Sequence, residues 1–271
     1  MKVTKLGQIR DGQDGAIWGN HLFRLDASGN CTVYTLSPLE EVGRFTLDQV
    51  EQMKPHSNSV MFGSEFYSPD DPFPLLYSNI YNNYASAEDK MKGVTCVYRV
   101  WLENGAFQSQ LVQVIRIGFA DSSLWQSENG ADVRPYGNFV IDRARSVYYA
   151  FTMRDQEHNT RYFAFALPRV RGGQKRVTLN EGDILEHFDC EYHRYVQGAC
   201  CHDGLIYSLE GFSEGAVNPA GLRIIDMEAK KQREYFPLFD YDLKVEPEMI
   251  DFAGETCYYS DSHGAFYQLS F

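Results

Sequence analysis

The 271-residue sequence lacks the segments that mark membrane-spanning and exported proteins. No run approaches the roughly 20 consecutive apolar residues that a helix needs to cross a bilayer. The first eight residues contain no apolar core of the kind found in a signal peptide. We therefore expect a cytoplasmic protein that has no membrane as a partner.

Positive charge is also scarce. The chain has 25 Lys and Arg residues against 37 Asp and Glu residues, so its formal net charge is −12. A protein that binds the nucleic-acid backbone needs a basic face that displaces counterions, and docking on anionic lipid needs such a face as well. The composition excludes both classes of partner and favours a small polar molecule, with the oligomeric state left open.

The cysteines form no CxxC pair and no spacing typical of a small disulfide-bonded domain, although there are six. Most lie in apolar alternating stretches, where a free cysteine behaves as a small buried hydrophobic residue. The adjacent Cys200 and Cys201 would point to opposite faces of a strand. P-loop, GxGxxG and HExxH motifs are absent too, so we predict no cofactor and no metal ion.

Helical patterns are almost missing, and residues 47–53 are the one short candidate. Runs of β-branched and aromatic residues separated by turn residues dominate instead. Asn104-Gly105 and Asp203-Gly204 each stand between two such runs, which is a strong hairpin signal. The chain is therefore predicted to be all-β.

A unit of four strands recurs five times, and such repetition favours a β-propeller over a sandwich or a barrel. The innermost strands begin near residues 14, 56, 136, 196 and 246, each beside polar residues. Fourth strands are assigned to residues 44–47, 107–117, 174–179 and 232–238, whereas the fifth unit ends without one. We expect residues 2–7 to supply that strand and close the ring. The prediction is one five-bladed propeller domain over residues 1–271, with six blades as the alternative because the second unit is long.

The fourth unit carries a resemblance to a known family. Gln197-Gly198, residues 203–208, Glu210-Gly211 and residues 222–226 look like a blade of the plant- and bacterial-type glutamine cyclotransferases. Those enzymes convert N-terminal glutamine to pyroglutamate on a five-bladed propeller, so the resemblance implies that fold. The sequence departs from the family pattern at Ser208, where an acidic residue is expected. The whole chain also resembles uncharacterised bacterial propeller proteins with His-x-Asn and Gln-Gly inner strands.

The long connections predict where a functional site lies. They enter the inner strands or join second to third strands, so they share one face of the propeller, which we call the mouth. Polar residues that open the inner strands converge there and could orient a small polar ligand, such as a carbohydrate. The predicted ligand-binding residues are Asp14, His56, Asn58, Asn138, His193, Gln197, Glu246 and Glu248. The alternative is that these groups satisfy one another and ordered water.

Two other functions remain open from the sequence. One is an enzyme at the same mouth, of cyclotransferase-like or glycoside-active type, with acid–base groups drawn from Glu210, Glu248, Glu191 and His56. Glycosidic cleavage would require two carboxyl groups roughly 5–9.5 Å apart. The other is a protein-interaction scaffold, which would require a contiguous exposed apolar patch.

Residues 187–193 alternate in a way that has two interpretations. His187, Asp189, Glu191 and His193 would share one face of an extended strand. That face is either a metal-binding edge or, as we favour, the solvated side of an ordinary strand.

Aromatic residues make up 14% of the sequence and divide into two groups. Those within strands are expected to pack between blades: Phe151, Tyr162, Phe163 and Tyr207. Those within mouth loops could stack on a planar ligand or a sugar ring: Tyr81, Tyr84, Trp125 and Phe212.

Overall fold

The computed structural model describes residues 1–80, 93–118, 135, 137–152, 159–191, 195–212 and 219–271. The chain starts with β1 (Lys2–Gln8), followed by β2 (Gly15–Trp18), β3 (His21–Leu25), β4 (Asn30–Leu36) and β5 (Leu39–Thr46). One helical turn, α1 (Val50–Met53), precedes β6 (Val60–Phe62), β7 (Leu76–Ile80), β8 (Val94–Glu103) and β9 (Ala106–Ile117).

The second half of the chain continues the same pattern. Its first strands are β10 (Gly137–Asp142), β11 (Val147–Thr152), β12 (Asn159–Ala166), β13 (Arg176–Leu179) and β14 (Ile184–Glu191). The last are β15 (Val196–His202), β16 (Leu205–Glu210), β17 (Gly221–Asp226), β18 (Lys231–Pro237), β19 (Pro247–Ala253), β20 (Thr256–Asp261) and β21 (Ala265–Ser270). Short 3-10 turns cover Glu181–Asp183 and Leu238–Tyr241.

The strands form five small sheets arranged as a five-bladed propeller. Blade 1 is β2 to β5, blade 2 starts at β6, blade 3 at β10, blade 4 at β15 and blade 5 at β19. The five inner strands β2, β6, β10, β15 and β19 contact one another in that order, and β19 contacts β2. The predicted five-bladed fold is confirmed, and the six-bladed alternative is wrong.

The N-terminal strand closes the ring as predicted. β1 pairs antiparallel with β21, with Lys2 opposite Ser270 and Gln8 opposite Ala265, and so becomes the outer strand of blade 5. This pairing covers the edge that β21 would otherwise present to another chain.

The two hairpins predicted from dipeptides are also present. Asn104 and Gly105 both have positive φ, at 51° and 79°, and join β8 to β9. Asp203 and Gly204, at 48° and 72°, join β15 to β16. Two positive φ values in a two-residue turn match the right-handed twist of the flanking strands, which is why Asn-Gly and Asp-Gly occur there.

One strand assignment from the sequence is wrong. Residues 174–179 do not form the fourth strand of blade 3, because β13 pairs in parallel with β9 and becomes a fifth strand of blade 2. The fourth strand of blade 3 is β14, which pairs with β12. In β14 the buried Phe188 and Cys190 alternate with the exposed His187 and Asp189, as expected of an outer strand with one solvated face.

Aromatic side chains fill the space within and between the blades. Phe151, Tyr162, Phe163 and Tyr207 are all buried, as predicted. The ring of Tyr207 in blade 4 lies 4.8 Å from that of Phe252 in blade 5. All six cysteines are free and buried, and burial raises the pKa of the Cys200 thiol well above its usual value. Among the described residues no helix is long and apolar enough to cross a membrane.

Candidate functional site

Polar side chains bridge each inner strand to the next around the ring. The bridging residues are Asp14, Ser59, Asn138, Gln197 and Asp251. Three of them belong to the ligand-binding set predicted from the sequence: Asp14, Asn138 and Gln197. Their first task is therefore to hold the blades together.

The two aspartates use the same arrangement at adjacent junctions. Asp14 accepts hydrogen bonds from the backbone N–H groups of Gly15 and of Val60 in blade 2, both at 2.8 Å. Asp251 accepts one from its following residue at 2.8 Å and one from Ile17 in blade 1 at 2.7 Å. Burial still raises the pKa of Asp14 well above its usual value, although these N–H groups lower it.

The two asparagines of the predicted set are also engaged within the protein. Asn138 donates from Nδ2 to the carbonyl of Val196 in blade 4 at 2.9 Å. Asn58 accepts from Nδ2 of Asn79 at 2.6 Å. Each is 2% exposed, so neither presents its amide openly at the mouth.

A cavity of about 760 Å³ lies where residues 9–14 cross from blade 5 to blade 1. It is at the mouth, because it touches the start of β4, the end of β5 and the entry to β19. The charged and aromatic residues that line it are Arg10, Asp11, Arg24, Asp26, Arg44, Phe45, Glu246 and Glu248. Of the predicted site residues, Glu246 and Glu248 line it.

Arg24 is a buried cation at this cavity. Its side chain donates from Nη1 to the carbonyl of Gln13 at 2.7 Å and from Nη2 to those of Gly12 at 2.8 Å and Asp261 at 3.1 Å. The guanidinium is thus held by carbonyl oxygens, while its Nε–H makes no hydrogen bond to the described residues. Charges of this kind are rarely buried without a partner.

Glu248 is the counterpart of Arg24. Its side chain is 2% exposed, and its Oε2 forms no hydrogen bond with the described residues. Burial raises the pKa of Glu248 well above its usual value; Arg24 lowers it, while Glu246 and Asp14 raise it further. A carboxyl with an unused oxygen at the wall of a cavity can accept or donate a hydrogen bond to a ligand.

Gln197 and Glu246 extend this polar group towards blade 4. Nε2 of Gln197 donates to Oε1 of Glu246 at 2.7 Å, and burial raises the pKa of Glu246. The next residue, Gly198, passes so close to blade 5 that a Cβ there would lie 2.3 Å from the carbonyl oxygen of Glu248. The structure therefore brings Asp14, Gln197, Glu246 and Glu248 together around Arg24.

Glu210 lies elsewhere and has a partner. Its carboxylate accepts from Nε and Nη2 of Arg223 at 2.8 and 3.2 Å, and both side chains are almost fully buried. The Arg223 guanidinium also lies 4.8 Å from the centre of the Tyr235 ring. This pair joins the second and third strands of blade 4 and leaves little room for an acid–base role.

The other predicted catalytic residues do not join the cavity. Glu191 is exposed at the end of β14, the outer strand of blade 3. His56 is half-buried before β6, and burial lowers its pKa. Neither contributes to the described lining of the cavity.

Several predicted residues lie outside the described part of the chain. They are His193 and the loop aromatics Tyr81, Tyr84 and Trp125. Phe212, the remaining loop aromatic, is 37% exposed, and its ring lies 4.9 Å from that of Tyr195.

Sequence reasoning missed Arg24, Arg44 and Phe45. A signal for Arg24 was present, because an arginine within an otherwise apolar strand must find a buried partner. Arg44 and Phe45 gave no such signal, since they look like ordinary outer-strand residues. Arg44 and Phe45 line a cavity because residues 9–14 pass in front of them on blade 1, and this path cannot be predicted from the sequence around residues 44 and 45.

One comparison with a solved structure supports the fold. The crystal structure of Myxococcus xanthus glutaminyl cyclase is similar over 99% of this chain and 95% of that one, with a TM-score of 0.52 and 9% identity. A computationally designed protein, Ika8, aligns over 98% of both chains at a TM-score of 0.40 and 7% identity. Sqt1 of Saccharomyces cerevisiae aligns over 93% of this chain and 55% of its own chain, at a TM-score of 0.38 and 6% identity.

No protein-family model and no curated protein matches the sequence. At 9% identity the similarity to the glutaminyl cyclase concerns the fold alone. The chain is thus a five-bladed propeller that shares its architecture with that enzyme.

Proposed function

We propose that the protein binds a small polar ligand in the cavity beside blade 1, with Glu248 as its central contact. The observation that carries this proposal is that Oε2 of Glu248, in a residue that is 2% exposed, makes no hydrogen bond to the described part of the chain. Leaving a buried polar atom without a hydrogen bond costs about 1–3 kcal/mol. A ligand hydroxyl or amine that bonds this oxygen would offset that cost.

The size and lining of the cavity suit a ligand rich in hydroxyl groups. Its volume of about 760 Å³ lies within the usual range of small-molecule sites. Hydroxyl groups both donate and accept, which matches a wall carrying the Glu246 and Glu248 carboxyls beside arginine N–H groups. Phe45 adds an apolar ring to the same wall, as carbohydrate sites often require.

Within the mouth, the cavity beside blade 1 is a better candidate than the centre, where the inner strands begin. There, the carboxylate of Asp14, Oδ1 of Asn58 and Nδ2 of Asn138 are hydrogen-bonded to neighbouring strands and side chains. Oδ1 of Asn138 makes no hydrogen bond to the described residues, but Asn138 does not line the cavity. Their arrangement favours the structural interpretation of those three residues.

Thermal-shift screening of sugars, polyols, amino acids and amines tests the proposal. A ligand at 100 times its Kd stabilises the protein by about 2.7 kcal/mol, so a binder raises the melting temperature of the wild type. Glu248→Gln should abolish the shift, whereas Glu103→Gln, at an exposed site in another blade, should keep it. Absence of any shift across the panel, or an unchanged shift in Glu248→Gln, would reject the proposal.

Acid–base catalysis at the same cavity is a second candidate function. Burial raises the pKa of Glu248 well above its usual value, so this carboxyl keeps its proton to a higher pH than an exposed glutamate does and can act as a proton donor. The enzyme named for the similar fold is a glutaminyl cyclase, so peptides with N-terminal glutamine are the first substrates to assay. Mass spectrometry would detect the loss of ammonia, which Glu248→Gln should abolish.

A protein-interaction scaffold has less support among the described residues. The exposed large apolar side chains are spread over all five blades, and they include Leu6, Val42, Leu102, Leu185 and Phe212. We also propose that the protein is cytoplasmic, because its six free buried cysteines suit a reducing compartment.

A further inference from the structure

Two turns on the face opposite the mouth bring a histidine and two carboxylates together. His202 ends β15, and Asp203 follows it in the turn to β16. Glu255 lies in the turn between β19 and β20 of the neighbouring blade. These turns meet because β15 and β19 are adjacent inner strands.

The distances among the three side chains suit a shared ion better than hydrogen bonds. Nε2 of His202 lies 3.8 Å from Oδ2 of Asp203 and 3.8 Å from Oε2 of Glu255. All three donor atoms lie within 4.8 Å of one another. Hydrogen bonds would need about 3 Å, whereas ligand atoms bound at about 2.1 Å to a tetrahedral ion stand about 3.4 Å apart.

The imidazole is held in place independently of the carboxylates. Its ring stacks on Phe252 with centroids 4.0 Å apart and an interplanar angle of 4°. Nε2 is buried from solvent, yet it makes no hydrogen bond to the described residues. A buried ring nitrogen without a partner calls for an explanation, and a metal ion between it and the carboxylates supplies one.

We propose that His202, Asp203 and Glu255 form a binding site for a divalent transition-metal ion of the zinc type. An imidazole nitrogen with two carboxylate oxygens is a zinc donor set, and the exposed side of the cluster leaves the fourth position to water. Calcium and magnesium prefer sets made only of oxygens. The ion would tie the turn of blade 4 to that of blade 5 and so stabilise their junction.

Calorimetric titration of chelator-treated protein with zinc chloride tests the site. The expected result is one ion per chain with a Kd below about 100 µM, together with a higher melting temperature. Glu255→Gln and Asp203→Asn should each weaken binding by about tenfold or more. Both side chains are exposed, at 89% and 76%, so neither change should disturb folding.

His187→Ala is the matched control, because His187 is an exposed histidine beside Asp189 and Glu191 on β14. It should bind zinc like the wild type. Absence of stoichiometric binding, equal binding in all variants, or a loss confined to His187→Ala would each overturn the proposal. The last outcome would place the ion on blade 3 instead.

Discussion

Glu210 and Glu248 are both buried carboxyl groups, and they differ in their partners. Arg223 makes two hydrogen bonds to Glu210, so that charge is balanced inside blade 4. Arg24 lies near Glu248 but donates to carbonyl groups instead, so Oε2 of Glu248 has no hydrogen bond within the segments that the structure describes. The first carboxyl holds a blade together, and the second is available to a ligand.

The raised pKa of Glu248 predicts how stability depends on pH. The pKa of this carboxyl is higher in the folded than in the unfolded state, so the group stabilises the fold fully at pH values below its unfolded-state pKa. This stabilisation is lost as the pH rises through the folded-state pKa. The contribution of such buried carboxyls to the free energy of unfolding should therefore fall as the pH rises above 4.5, the ordinary pKa of a glutamate side chain. Glu248→Gln should reduce this fall but not remove it, because the pKa of Asp14 is raised too. Urea titrations across pH give the slopes, and equal slopes in both proteins would contradict the assignment.

Arg223→Met should destabilise the protein strongly. It leaves the carboxylate of Glu210 buried without its cation, and breaking such a pair costs about 3–5 kcal/mol. Lys230→Met is the control, because Lys230 pairs with Glu186 at 2.8 Å on the surface and exposed pairs contribute little. Urea unfolding compares the two variants. Similar losses in the free energy of unfolding would show that the buried Arg223–Glu210 pair stabilises the protein no more than the surface pair does.

Among the secondary-structure elements, the inner strands set the tightest constraint. β15 approaches β19 at Gly198, where a Cβ would lie 2.3 Å from the carbonyl oxygen of Glu248. The same contact positions the backbone of Glu248 beside the cavity. Blade packing and the candidate site thus depend on one glycine.

Gly198→Ala should therefore affect both stability and ligand response. We expect a loss of about 1–3 kcal/mol from overpacking, together with weaker ligand binding because Glu248 is displaced. Gly182→Ala is the matched control, since a Cβ at Gly182 would meet no atom within 4 Å. Thermal melts with and without ligand measure both effects. A Gly198→Ala protein that behaves like Gly182→Ala would argue against the close approach.

The elements also show what the sequence could predict. The hairpins with Asn-Gly and Asp-Gly turns could be predicted from the sequence, because those residues tolerate positive φ. The sequence could not predict that β14, and not β13, is the fourth strand of blade 3. Both segments alternate in polarity, and β13 pairs with β9, which is distant in the sequence. The polar ring residues were found as a group, but their roles depend on distances between blades that no local pattern contains.

At the scale of the whole molecule, the ring is closed by β1 on β21 rather than by a continuous final blade. Deleting residues 1–8 should lower the melting temperature and promote self-association, because β21 becomes an open edge. Size-exclusion chromatography and thermal melts would show this, and a peptide of residues 1–8 added in trans should partly restore the wild-type behaviour. A truncated protein as stable and monodisperse as the full chain would contradict closure by β1.

The sequence predicted the location of the cavity beside blade 1 only in part. Glu246 and Glu248 followed from their place before and within an inner strand. The cavity itself arises where the chain crosses from the last blade to the first, so it breaks the fivefold pattern used to predict the site. This crossing explains why the site lies off the central axis.

A crystal structure with the strongest ligand from the thermal-shift panel would show whether Glu248 contacts that ligand. We expect ligand density in the cavity, with a hydroxyl or amine about 3 Å from Oε2 of Glu248. Density against His56 and Asn138 near the central axis, with the cavity beside blade 1 vacant, would contradict this expectation.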